Sequence, residues 1–145
     1  MECITLERLK KAGWEKDRKI NILLLKMEYE HIGLDMPTNV EKFLTQYGML
    51  SFYDSDRHED VNFNPLKAIG KNLDAQYFEE LLVEYEIDTI VYPIGMACRD
   101  NLLLIMTESE IFYCFTDGYL EECGKNVDEM LDCLVGECKE ARIIE

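Results

Sequence analysis

The sequence predicts an α+β fold, an antiparallel sheet of about five to six strands with helices grouped around it. Three observations lead there. Apolar residues recur at helical spacing through the N-terminal third of the chain. Four short apolar runs, TIVYPIG, NLLLIMT, EIFYCFT and YLEEC, then follow one another closely after residue 88. The resulting order is helices, two short strands, helix, a block of strands, and a last helix. The chain of 145 residues fits one domain, 1–145, and shows no internal repeat, linker or low-complexity tract.

Each element has its own signal. Thr5 is placed to cap a first helix whose face carries Leu6, Leu9 and Ala12, and Gly13 stops it. Trp14, the only tryptophan, packs at the helix exit. A second helix is expected from about Asp17 to Ile32. Its inward face is Ile20, Leu23, Leu24, Met27 and His31, widened by Ile22 and Leu25, and His31 is expected to be buried. Pro37 and the capping box Thr38–Glu41 open a third helix, with a stripe of Val40, Phe43, Leu44 and Tyr47 and a stop at Gly48. MLSFY and VNFN are short strands, and Pro65, capped by Asn64, starts a brief helix. Asp74 caps a longer helix, DAQYFEELLVEYEI, with Tyr77, Phe78, Leu81, Leu82 and Tyr85 facing inward. LLLIM reads as a central strand covered on both faces. Asp117–Gly118 marks a hairpin. Asn126, with Glu129 three residues on, caps a last helix, which buries Met130, Leu131, Leu134 and Val135 and ends at Gly136.

Composition narrows the function classes. Apolar residues make up 48% of the chain and aromatics 10%, enough for a packed core without disulfides or metal. No segment approaches a membrane span, and MECITLERLKKAGW lacks the apolar run of a signal peptide, so the expected location is cytoplasmic. The six cysteines are therefore read as reduced thiols in or near the core. The net charge is −15. Residues 1–72 hold 11 Lys/Arg and 12 Asp/Glu, whereas residues 73–145 hold 4 and 18. Such a field repels nucleic acid and anionic lipid. It serves solubility, and it also attracts a basic partner.

The catalytic inventory is thin. Neither His31 nor His58 sits in a nucleophile–base pattern, and no phosphate-loop, nucleophile-elbow or zinc-protease motif occurs. DSDRHED, residues 54–60, begins like a calcium loop, but Glu59 replaces the glycine and Pro65 stands at the twelfth position. Cys133 and Cys138 have a zinc-like spacing without a downstream histidine. Cys98 beside Arg99 has no visible base. No enzyme activity, catalytic residue, cofactor or metal is expected. CFTDGYLEECGKNVDEM, residues 114–130, carries five carboxylates without ligand spacing and reads as an acidic surface.

Five segments, in order along nearly the whole chain, then point to a family. LKKAGWEKDRKI, FLTQYGML, VNFNPLKAI, VYPIGMACRDNLLLIMTESEIFYCF and VDEMLDCLVGE resemble successive pieces of the SUKH superfamily, in its third subgroup. The chain departs from the family pattern where many members carry glycine or a small residue: at Met49, at Arg99–Asp100 and at Glu108–Ser109–Glu110. The resemblance implies a SUKH-like fold and the role of an immunity protein of bacterial polymorphic toxin systems, which binds and blocks a cognate toxin domain, often a nuclease or nucleic-acid deaminase. It implies structural roles for Gly13, Trp14, Arg18, Gly48, Pro65 and Gly95.

Charge and resemblance together give the expected toxin-binding residues: Glu79, Glu80, Glu84, Glu86 and Asp88, and then Asp117, Glu121, Glu122, Asp128 and Glu129. Tyr85 and Tyr119 are the candidate aromatic anchors. The expected partner is a basic toxin domain, with no direct nucleic acid or membrane contact. The alternative is a general interaction or regulatory module with a non-toxin partner. A small enzyme or metal protein is the third reading.

Overall fold

The computed structural model describes residues 1–53, 60–70 and 73–145. Its centre is a seven-stranded antiparallel sheet in which every strand lies beside its sequence neighbours: β1 (Ser51–Phe52), β2 (Val61–Asn62), β3 (Val91–Ala97), β4 (Leu102–Thr107), β5 (Phe112–Thr116), β6 (Tyr119–Gly124) and β7 (Arg142–Ile144). The four expected apolar runs are β3 to β6. All six residues of β4 are buried, so both faces of this middle strand are covered, as the run LLLIM required. Gly118, at φ +77°, makes the β5–β6 turn. The seventh strand escaped the sequence reading because RII is too short to display alternation, and it pairs only with β6.

Six helices surround the sheet: α1 (Cys3–Lys11), α2 (Leu23–His31), α3 (Thr38–Tyr47), α4 (Pro65–Ile69), α5 (Ala75–Glu80) and α6 (Val127–Leu134). Asn64, Asp74 and Asn126 cap α4, α5 and α6, each side chain accepting from a first-turn amide. The stripe of α3 is buried as expected, and Phe43 packs on Phe63 and Phe112.

Several local expectations are corrected. Thr5 does not cap α1. It lies within the helix, fully buried, and its hydroxyl donates to Asp132 of α6 at 2.6 Å. The Thr38 capping box does not form, because Pro37 takes the cap position and no side chain bonds there. The second helix starts at Leu23, not near Asp17. The segment before it is drawn onto the end of α3 instead: the Ile20 amide donates to the Thr45 carbonyl, and Arg18 donates to the carbonyls of Gln46 and Gly48. With that start, Ile22, Leu25 and Tyr29 face the core, while Leu23, Leu24, Met27 and His31 are exposed. The expected long helix after Asp74 is α5 followed by a separate 3₁₀ turn, Val83–Tyr85. Glu80 and Glu84 would stack four residues apart in a continuous helix and repel.

Four of the six residues that depart from the resembled pattern share one kind of backbone. Met49, Arg99, Asp100 and Glu110 all have positive φ, at 68°, 57°, 62° and 65°. These turns demand the conformation that glycine adopts without cost, and this chain fills them with side chains.

Candidate functional site

The expected acidic residues separate into sets with different surroundings. Glu79 and Glu80 lie on the exposed side of α5, Glu84 on the 3₁₀ turn, and Glu86 and Asp88 on the link to β3, and all five are exposed. Asp74 caps α5, and Tyr77 and Phe78 anchor it, ring against ring at 5.1 Å, so these carboxylates sit on a fixed platform. Among the described residues none of the five pairs with a base; Glu80 accepts only from Gln76. Their charge is uncompensated locally. Asp35 and Glu108 add to it: Tyr92 lies near Glu108, Asp35 and Glu79, and its phenol is pushed up by burial first and then by these acids. The sequence reading missed Asp35, whose loop gave no signal, and read Glu108 only as a replaced turn residue.

The second set is divided by the β5–β6 hairpin. Asp117 lies at the tip, beside the Thr116–Tyr119 pair, while Asp128 and Glu129 lie beyond the other end, past the Phe112–Gly124 pair. Those ends are separated by about 15 Å of strand. Glu122 and Glu129 are compensated by Arg142 and Lys139. The hydrogen bond that Lys139 donates lowers the Glu129 carboxyl, and the one that Arg142 donates to Glu122 raises the Arg142 guanidinium. Asp128 and Glu129, with Glu110 and Asp132, line an open acidic recess of about 470 Å³ at the start of α6.

Glu121 does not belong to the surface. Only 7% of it is exposed. Its carboxylate accepts from the Tyr119 hydroxyl at 2.6 Å, and this bond is the first cause of that phenol's strong upward shift. It faces Cys114 and Cys123, and the three ligand atoms lie within 4.8 Å of one another. Cys133 of α6 lies near Cys123. The six cysteines are free thiols; Cys114, Cys123 and Cys133 are buried, whereas Cys3 and Cys138, expected in or near the core, are exposed. The sequence reading missed this cluster because its spacing, residues 114, 121, 123 and 133, matches no short motif.

Two further surfaces complete the picture. Leu23, Leu24 and Met27 leave α2 with 61%, 59% and 54% of their surface exposed. They sit three and four residues apart, so they form one apolar patch. The opposite sign of charge gathers at a cleft of about 520 Å³ lined by Lys16, Arg18, Lys19 and Lys42.

The residues for which the resemblance implies structural roles lie in tight places. Trp14 stacks on Tyr47 with centroids 5.9 Å apart. A Cβ on Gly48 would stand 2.4 Å from the Leu44 carbonyl oxygen, and one on Gly95 would stand 1.9 Å from that of Asn62. Pro65 opens α4. Gly13 turns the chain out of α1 at φ +105°. Arg18, whose guanidinium is lowered by burial, caps the carboxyl end of α3. His58 and all of the calcium-like DSDRHED segment except Asp60 lie outside the described residues. Among the described residues no helix is long and apolar enough to cross a membrane.

The chain is thus an α+β domain built on a meandering antiparallel sheet. Its family follows from comparison: the sequence model of the SUKH-3 immunity protein matches residues 1–137, and the chain belongs to that family. No curated protein and no solved structure matches it.

Proposed function

We propose that this protein acts in the cytoplasm as the immunity partner of a basic bacterial toxin domain, a nuclease or nucleic-acid deaminase, and engages it through the acids of α5 and the segment that follows. The observation that carries the reading is the uncompensated set Glu79, Glu80, Glu84, Glu86 and Asp88 on a chain of the SUKH-3 immunity family. Toxins that act on nucleic acid present basic clefts. An acidic inhibitor is steered onto such a cleft and covers it without turnover. Asp117, Glu122, Asp128 and Glu129 form a secondary set, because part of their charge is already neutralised within the chain.

The exposed apolar patch of α2 supports a second reading, in which the toxin buries Leu23, Leu24 and Met27 and charge only guides the approach. One experiment separates the two. The cognate toxin domain, obtained by co-expression with neighbouring reading frames, is bound to the wild type, to a variant with residues 79–88 neutralised (E79Q, E80Q, E84Q, E86Q, D88N), and to L23S/M27S. The first reading expects the neutralised variant to associate about tenfold or more slowly at low salt, with the gap closing at high salt. An association rate unchanged by neutralisation refutes it. A loss of affinity confined to L23S/M27S, carried in the dissociation rate, establishes the second. A captured partner that is no toxin would instead favour the general interaction module.

A further inference from the structure

We propose that Cys114, Cys123 and Glu121 form a closed binding site for a thiophilic divalent cation, zinc above all, with Cys133 as the fourth donor. Three elements deliver these groups to one point. Cys114 of β5 stands opposite Glu121 of β6 in register. The register shifts between Phe112 and Tyr113, whose partners are Gly124 and Glu122, so Cys123 is the extra residue of a bulge. Bulges re-aim a side chain, and here the third ligand joins the first two. The ligand atoms of Cys114, Glu121 and Cys123 lie within 4.8 Å of one another, close enough for a metal ion to gather them by small side-chain adjustments. Cys133 of α6 lies near Cys123 but outside that group, so its side chain must shift to become the fourth donor.

The carboxylate is what separates this cluster from ordinary core cysteines. A thiol packs well as a small hydrophobe. A carboxyl group that is 7% exposed and set beside two thiols is an oxygen donor that the packing of core cysteines does not call for. Tyr119 supplies one strong donor, in the position of the outer partner that metal-bound carboxylates use. Sulfur with one oxygen in a four-donor set suits zinc rather than calcium or magnesium. Zinc binds cysteine as thiolate, so the thiols of the metal-free cluster must give up their protons. Binding is then an exchange: Zn²⁺ takes the sulfur lone pairs of Cys114, Cys123 and Cys133 and an oxygen of Glu121, and three thiol protons leave to solvent. No electron is transferred. The site is sealed, so the ion is loaded as the chain folds.

The test uses the full chain, refolded under reducing conditions with Co²⁺ as a spectroscopic probe and then with Zn²⁺. The variant C3S/C138S removes the two exposed thiols and leaves the cluster intact. The expected result is one Co²⁺ per chain with thiolate charge-transfer absorption, in the wild type and in C3S/C138S alike, displaced by one equivalent of Zn²⁺. Cys114→Ser or Cys133→Ala abolishes or alters the band. Tyr119→Phe, which leaves every ligand in place, weakens Zn²⁺ affinity about 10–100-fold. No charge-transfer band in the refolded wild type overturns the proposal, and so does a band that vanishes in C3S/C138S.

Discussion

Asp132 joins the first helix to the last, and its removal is a sharp test of how the ends of the chain are held. It accepts from the Thr5 hydroxyl at 2.6 Å and from the Glu2 amide at 2.9 Å. Thr5 is fully buried, and its only other polar neighbour is the Cys138 sulfur at 3.8 Å. Asp132→Ala therefore deletes two charge-assisted bonds and orphans a buried hydroxyl. A bond to a charged group contributes about 1.5–3 kcal/mol, and the exposed Glu2 amide falls below that range because water replaces it. The expected loss is about 2–3 kcal/mol, read as a lower urea midpoint at unchanged slope. Asp132→Asn keeps an acceptor and is expected to lose about 1 kcal/mol. In the Asp132→Ala background, Thr5→Val is expected to cost little, because the hydroxyl already lacks its partner. Acid adds a further check. Burial pushes the Asp132 carboxyl up, but donors from Thr5, Glu2, the amino terminus and Cys138 outweigh it, and the group titrates below the ordinary aspartate range. A depressed folded-state value means that the charge contributes fully above the unfolded value, about 3.9. It is lost as pH falls through the folded value. The gap between wild type and Asp132→Ala is thus expected to hold from neutral pH to about pH 4 and to narrow below it. A loss under about 0.5 kcal/mol at neutral pH, or a gap that widens in acid, would refute the reasoning.

Met49→Gly is expected to stabilise the fold by about 0.5–1 kcal/mol, since relief of left-handed strain exceeds the added entropy of glycine in the unfolded chain; a lower thermal midpoint would sink the idea. Gly95→Ala forces a Cβ to within 1.9 Å of the Asn62 carbonyl oxygen, a backbone atom that no side-chain rotation can clear. It is expected to cost about 3 kcal/mol or more and to detach the β1–β2 edge, visible as faster amide exchange there. Arg18→Ala leaves the Gln46 and Gly48 carbonyls without their guanidinium donors and is expected to cost about 1–3 kcal/mol, whereas a change within about 0.5 kcal/mol would place Arg18 among the dispensable surface charges.

The strands and caps were legible because their signals are local. β4 needed only a run of apolar residues, and Asn64, Asp74 and Asn126 needed only the amides of the next turn. What failed was everything decided by a distant partner. Residues 22–25 are all apolar, so periodicity alone could not choose which side of α2 faces inward. The choice was made by Tyr29, whose ring stacks on Tyr92 of β3 and whose hydroxyl bonds to the Pro93 carbonyl. Thr5 looked like a cap because caps are the commonest use of threonine before an apolar stripe, and its true acceptor lies 127 residues away. Met49, Arg99, Asp100 and Glu110 hold positive φ in the short turns before β1, β4 and β5, a conformation that side-chain patterning does not announce.

The charge of the C-terminal half reads from composition, but its distribution does not. Counting acids along residues 114–130 gives one sign and suggests one surface. In the fold the same acids have three fates: Asp117 is exposed at a hairpin tip, Glu122 and Glu129 are bonded to Arg142 and Lys139, and Glu121 is buried against thiols. Sheet alternation explains the split. Glu121 and Glu122 are adjacent in sequence, so their side chains leave opposite faces of β6. Glu121 turns toward Cys114, and Glu122 leaves on the face of Leu120, which is itself fully buried, and meets Arg142. A run of like charges on a strand is therefore never one surface, whereas the exposed run on α5 and its 3₁₀ turn escapes that alternation. For this reason the α5 segment, and not the acid-rich hairpin, is where neutralisation is expected to slow association with a basic partner.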